Sequence, residues 1–388
     1  MIGSTPIYAD YNATTPVDEE VLEEMLPFLR KRFGNASSSH LLGKQARQAV
    51  DEARRRVAAA IGCGPNEIIF TSGGSESNNL AIKGVAFKNK ERGRHIITST
   101  IEHPSVLNPC RYLEDRGFDV TYLPVDEYGL VSVEDLSNAI QDETVLITIM
   151  HANNEVGTIE PISEVGRLAK ELGIYFHTDA AQSLGKIPVD VGELGVDLLT
   201  IAGHKLYAPK GVGALYVRAG TRLEPLIHGA AHEFGLRAGT EAVASIVALG
   251  KACEMAEDGL DLLSLRLTKF RERLFQLLLM GAPGLRLNGH PADHLPNTLN
   301  IGFPGVTGAV LLKNTPEVAA SPGSACHADA TEISPVLSAM GVAQEYALGA
   351  IRLSLGKYTT EDEIDVIADA LCTSYIRLLD GDLRKANN

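Results

Sequence analysis

Tryptophan is absent from this 388-residue chain and aromatic residues make up only 5% of it. The core must therefore be built from aliphatic and small side chains. No apolar run approaches the roughly 20 residues needed to span a bilayer, so no membrane association is expected. The first twenty residues, MIGSTPIYADYNATTPVDEE, show no basic stretch followed by an apolar one, and the expectation is a cytoplasmic protein. Cysteine is scarce and scattered: Cys63, Cys110, Cys253, Cys326 and Cys372, an odd number with no C-x-x-C pair. That spacing speaks against a disulfide framework and against a zinc finger. His290 and His294 have helical spacing, but Pro291 and the neighbouring turn residues argue against a metal pair, and no metal is expected. No run of basic residues is expected to act as a local exception to the acidic balance. The formal net charge is −14, which repels phosphate backbones and speaks against a nucleic-acid partner.

What is present is an alternation. From about residue 44 to 250, helical patterns alternate with short β-branched runs. Ala46, Val50, Ala53 and Val57 form one helical stripe. Strands are expected at Glu67 to Thr71, from His95, from Val145, from Ile174, from Asp197 and from Gly213. Strands that alternate with helices predict an α/β fold with a mostly parallel sheet covered on both faces. After about residue 240 the pattern changes. A long helical stretch is expected from Glu241 to about Met280, then a strand from Asn297, a Gly/Pro/Ser-rich segment and two terminal helices. The last helix starts near Thr360, a capping residue followed by acids.

Four segments can carry chemistry. In FTSGGSESNNLAIKG, Phe70 to Gly84, a strand ends, Gly73 and Gly74 turn the chain and Ser75 opens a helix. Free amides and the helix dipole make such a turn an anion site, though a plain Ser-capped turn reads the same way. Asp179 follows a strand, at the carboxyl edge where α/β sheets bind ligands. It suits either a protonated pyridine nitrogen or a helix N-cap. Lys205 also ends a strand, beside His204. It suits a Schiff base if its surroundings favour the neutral amine; otherwise it is a surface lysine. Together these segments supply a phosphate cup, an acid for a pyridine nitrogen and a lysine for an aldehyde, the three parts that pyridoxal 5′-phosphate requires. Finally, Ala319 to Leu337 places Cys326 in a Gly/Ser/Pro loop, the setting for a thiol that accepts a group in a pocket and presents it outside. A loop cysteine without a role fits that segment too.

The chain resembles the cysteine desulfurases of the nitrogenase-associated and housekeeping iron–sulfur type, within the class V aminotransferase family. The resemblance runs through YADYNATTPVD, FTSGGSESNNLAIKG, STIEHPSVL, MHANNEVGTI, FHTDAAQSLGKIPVD, GHKLYAPKGVGALYV, LRAGTE, SPGSAC and IRLSLGKYTTEDEID. It implies a fold-type I transferase with a seven-stranded, mostly parallel sheet in a large domain (residues 15-255). A smaller α+β domain is formed by residues 1-14 and 256-388 and carries the cysteine loop. It implies a homodimer that takes sulfur from L-cysteine onto Cys326, leaving L-alanine, and passes it to an iron–sulfur scaffold or another sulfur acceptor.

Residue by residue, the resemblance gives Lys205 the cofactor aldehyde and Asp179 the pyridine nitrogen. Gln182 and Asn154 lie near the phenolic oxygen, and Asn154 also near the substrate. His103 stacks on the ring as an acid/base. Gly74, Ser75 and His204 bind the phosphate, with Thr240 from the other subunit, and Arg352 holds the substrate carboxylate. The sequence departs from the pattern at several points. Ala202 stands where a phosphate-binding serine is common. Gly229, Ala230 and Ala231 stand where three glycines are common, Phe234 where an arginine is frequent and Pro322 where a serine is usual. The ACHAD segment after Ser324 and Ala202 both resemble selenocysteine lyases, which keeps that activity as an alternative alongside another class V aminotransferase-like reaction.

Overall fold

A computed structural model describes residues 5–322 and 333–386, with side chains up to residue 380. Among the described residues there are twelve strands: β1 (Ile7–Tyr8), β2 (Ile68–Thr71), β3 (His95–Ser99), β4 (Asp119–Leu123), β5 (Thr144–Thr148), β6 (Tyr175–Asp179), β7 (Leu198–Ala202), β8 (Gly213–Val217), β9 (Arg286–Asn288), β10 (Thr298–Gly302), β11 (Val318–Ala319) and β12 (Ala350–Ser354). Seven make one sheet in the order β2-β8-β7-β6-β5-β3-β4. Every pairing from β7 through β6, β5 and β3 to β4 is parallel, and β8 alone runs antiparallel to both its neighbours.

The central strands bury consecutive residues on opposite faces. Phe70, Ile97, Ile147, Phe176 and Leu199 enter one apolar cluster. Their neighbours Ile69, Ile96, Leu146 and Leu198 enter another. A sheet covered on both sides needs such continuous apolar runs, because alternation would put polar groups against a helix layer. The first cluster is closed by α2 (Leu41–Ala59), whose Ala46, Val50, Ala53 and Val57 are all buried. Against it lies the helix Val243–Asp258. Their close approach depends on Gly250, where a Cβ would come within 2.6 Å of Ala53 Cα. The second cluster is closed by α3 (Gly74–Asn89) and α4 (Pro104–Glu114).

A third cluster packs the antiparallel strands β12-β10-β9 against the helices Leu260–Gly281 and Glu361–Ala386. The N-terminal segment joins this part: β1 pairs with β11, and Ala9 belongs to the same cluster. The expected single helix from Glu241 to Met280 is two helices, broken at Gly259. The apolar pattern continues across the break, so periodicity did not reveal it. The strands β1, β4, β9, β11 and β12 also went unread. β4 is an edge strand of mixed exposure, and β9 is three residues long. Among the described residues, no helix is long and apolar enough to cross a membrane.

Candidate active site

The carboxyl ends of adjacent parallel strands β6 and β7 carry Asp179 and, one short turn later, His204 and Lys205. Sheet geometry therefore brings together side chains 26 positions apart in sequence, at the edge where α/β sheets hold ligands. Lys205 donates to the carbonyls of Asn12 and Ala13. Burial lowers its pKa to about 8; repulsion from Arg352 acts in the same direction, while Asp10 and Asp179 oppose it. At this pKa a useful fraction of the amine is unprotonated near neutrality, which a nucleophilic lysine requires.

Asp179 accepts from the Ala181 amide at 3.0 Å and from Asn78 Nδ2 at 2.6 Å. Asn78 lies on α3 and also donates to Ser105 Oγ at 2.8 Å. Ser105 in turn meets His103 Nδ1 at 2.7 Å. His103 is the N-cap of α4, and its pKa is lowered by burial and by Lys205, against the pull of Asp179. His204 is pushed down further, to about 4, by burial and by Lys205, Lys210 and His103, so it is neutral at physiological pH. Its Nδ1 lies 3.2 Å from Thr14 Oγ1.

Beside β7 lies the amino end of α3. Gly73 has φ +144, open to glycine but strained for other residues, and starts the helix without a side-chain cap. The amides of Gly74, Ser75 and Glu76 find no acceptor among the described residues, which leaves a cluster of donors at the positive end of a 16-residue helix. A Cβ on Gly74 would sit 3.2 Å from Ala202 Cβ. Ala202 thus packs at the base of this turn and adds no hydroxyl to it.

On the other flank, Gln182 donates to the Asn12 carbonyl at 2.9 Å and accepts from Lys186 Nζ at 2.7 Å. Lys186 is buried with no carboxylate partner among the described residues, and burial drives its pKa well below the ordinary lysine value. Its donation to Gln182 Oε1 fixes which way that amide points. Asn12 connects this group to the smaller sheet: it donates to Thr298 Oγ1 at 2.8 Å and to the Asn154 carbonyl at 3.1 Å. Arg352 on β12 donates to the same carbonyl at 3.2 Å, to Asp10 at 2.7 Å and to Ser321 Oγ at 3.1 Å. Its Nε is buried without an acceptor among the described residues.

Of the residues expected from sequence, Gly74, Ser75, His103, Asn154, Asp179, Gln182, His204, Lys205 and Arg352 are connected by these contacts or by the elements that carry them. Thr240 is exposed on a segment that follows β8, and no hydrogen bond joins it to the group. Cys326 lies outside the described residues. Asn78, Ser105, Lys186, Asn12 and Asp10 are additions that sequence reasoning missed. All are polar residues brought to the group by tertiary packing, Asn12, Asn78 and Lys186 buried and Asp10 and Ser105 partly so. Among the described residues no group of three His, Cys, Asp or Glu side chains is arranged to hold a metal.

Residues 7–367 match the aminotransferase class-V family. The chain belongs to that family. Within it, the chain is 53% identical over 367 residues to a cysteine desulfurase IscS from Dictyoglomus turgidum, covering 94% of this chain and 93% of the relative. Among solved structures, a NifS-like protein superposes with a TM-score of 0.90 at 40% identity, covering 95% of this chain and 99% of the other. A structure described as SspA in complex with cysteine gives 0.80 at 42% identity, covering 92% of this chain and 100% of the other. The seven-stranded sheet expected of a class-V fold is the one observed.

Proposed function

We propose that this protein is a pyridoxal 5′-phosphate-dependent cysteine desulfurase, which removes sulfur from L-cysteine and carries it as a persulfide on Cys326. The observation that carries the reading is the pairing of Lys205, its pKa brought to about 8, with Asp179 across adjacent strand ends beside an open helix terminus. The names of the similar proteins agree with it.

The residues present fit the cofactor. Three unpaired amides at the start of α3 match a phosphate. The carboxylate of Asp179 matches a protonated ring nitrogen, and Lys205 matches the aldehyde. Gln182 and Asn154 offer amides for the phenolic oxygen, and His204 with Thr240 of the partner subunit completes the phosphate site of a homodimer. Once bound, pyridoxal phosphate supplies the electron sink that makes the substrate α-proton acidic. Lys205 Nζ takes that proton. Arg352 holds the substrate carboxylate, using the Nε that has no acceptor of its own. The thiolate of Cys326 attacks the substrate sulfur. A sulfur–sulfur bond forms and the carbon–sulfur bond breaks, its electron pair going to the β-carbon, which is protonated, and Lys205 returns its proton to the α-carbon. L-alanine leaves, and Cys326 keeps the sulfur for a cytoplasmic acceptor such as an iron–sulfur scaffold protein.

Alanine release from L-cysteine, measured with reductant for the cofactor-loaded wild type and Cys326→Ala, tests this reading. Turnover by wild type alone supports it. A wild type nearly inert with cysteine but active on selenocysteine replaces it with a selenocysteine lyase. Keto-acid exchange that survives Cys326→Ala replaces it with an aminotransferase-like reaction.

A further inference from the structure

Two donors converge on His103 Nδ1. The Ser105 amide donates to it at 3.1 Å and Ser105 Oγ lies 2.7 Å away. Which way the hydroxyl hydrogen points is decided one step further back. Asp179 Oδ2, an acceptor when ionised, lies 2.6 Å from Asn78 Nδ2, so the amide must turn its NH2 toward it. The opposite orientation would set two oxygens against each other. The second Asn78 hydrogen then goes to Ser105 Oγ at 2.8 Å. Having accepted there, the hydroxyl gives its single hydrogen to His103 Nδ1. The chosen orientation leaves Asn78 Oδ1 buried and without a partner among the described residues, a cost that the contact with Asp179 offsets.

We propose that Asn78 and Ser105 are positioning residues that hold His103 as the neutral tautomer with its proton on Nε2, so that the ring offers the reacting centre a donor. A proton on Nδ1 would face the Ser105 amide head-on and force the hydroxyl to turn away. The charged groups around the ring leave that balance in place. Asp179 at the end of β6 favours the imidazolium and Lys205 after β7 opposes it. His204, on the same turn as Lys205, also lies within electrostatic reach. The start of α4, which His103 caps, disfavours a cation as well. His103 thus stabilises negative charge developing on a substrate or protein sulfur by donating from Nε2. It is not the resting-state base for a thiol. Only the placing of His103 beside a reacting sulfur rests on the desulfurase reading.

The test is long-range proton–nitrogen correlation NMR on the 15N-histidine-labelled holoenzyme without substrate, with His103→Gln to assign the signals. The expected wild-type spectrum has Nδ1 of the bare, acceptor type and Nε2 of the protonated type. Ser105→Ala should raise the His103 titration midpoint by about one pH unit, the shift expected from losing one hydrogen bond to the neutral form. Ser105→Thr should restore it. Asn78→Ala should shift it in the same direction, and adding it to Ser105→Ala should shift it no further. A proton on Nδ1 in the wild type overturns the proposal, as does an unmoved midpoint in Ser105→Ala. The wild-type tautomer rests on neither a Ser105 nor an Asn78 variant, so a misfolded one of those leaves the test intact. Because no substrate is present, failure of the desulfurase reading would leave this result standing.

Discussion

Replacing Arg54 by Met breaks a buried ion pair that ties the segment after β8 to the edge of the main sheet. Arg54 and Glu233 are 5% and 7% exposed. The guanidinium donates at 2.8 and 2.7 Å to the two carboxylate oxygens and also reaches the Ile68 carbonyl. Glu233 accepts as well from the Phe70 amide at 2.8 Å. The guanidinium carbon lies 4.6 Å from the centre of the Phe70 ring and 5.2 Å from that of Phe234. Such contacts hold Glu233 and Phe234 at φ +46 and +56, an unfavourable region for both. Removing one partner leaves the other charged and buried, so Arg54→Met and Glu233→Met should each cost about 3–5 kcal/mol. The double variant buries no charge. It loses mainly the partners of the Phe70 amide and the Ile68 carbonyl, worth about 1–3 kcal/mol. It should therefore be more stable than either single variant. Urea denaturation of the four proteins measures this. Single variants costing under about 1 kcal/mol, or a double variant equal to the sum of the two, would refute the argument.

Gly213→Ala would place a Cβ 2.7 Å from Gly73 Cα and 2.5 Å from the Ile201 carbonyl; it should push the turn before α3 outward and weaken pyridoxal phosphate binding about tenfold or more, or about 1.4 kcal/mol, as read by absorbance titration. Glu160 accepts from the Val131 amide at 2.9 Å, and burial, with Asp126, raises its pKa to about 8. Folded protein therefore binds more protons than unfolded protein between the ordinary carboxylate range and about pH 8, and wild-type stability falls as pH rises through that window. Glu160→Gln keeps an acceptor for Val131 and should flatten that fall, by up to about 1.4 kcal/mol per pH unit, with no advantage near pH 4; parallel wild-type and variant curves in thermal melts would contradict this. Arg352→Lys should raise KM for cysteine about tenfold or more while leaving the cofactor absorbance in place, since Arg352 is assigned to the substrate; an unchanged KM counts against that assignment.

The parts of the fold that were legible in the sequence are those where local pattern and tertiary role coincide. β2, β3, β5, β6, β7 and β8 are short runs rich in β-branched, aromatic and aliphatic residues because the sheet is buried on both faces, and the ends of β6 and β7 therefore marked Asp179 and Lys205. Gly73 and Gly74 were legible because a turn into a helix needs them. Polar residues inside helices were not. Asn78 sits in α3 with a second Asn after it and looks like a solvated face, yet it is fully buried against Asp179. Arg54 begins the run Arg54-Arg55-Arg56, which reads as surface charge; only the long-range contact with Glu233 singles it out. Lys186 has the same character, a lysine without a carboxylate, whose burial follows from the packing of Asn12 and Gln182.

The central claim is sulfur transfer to one thiol. The direct measurement gives cofactor-loaded enzyme one equivalent of L-cysteine without reductant, traps the products by alkylation, and compares peptide masses with alanine formed. The account predicts one extra sulfur on the peptide containing Cys326, none on those containing Cys63, Cys110, Cys253 or Cys372, and one alanine for each sulfur bound. Alanine formed with no added sulfur on Cys326, or with the sulfur on another cysteine, would contradict it.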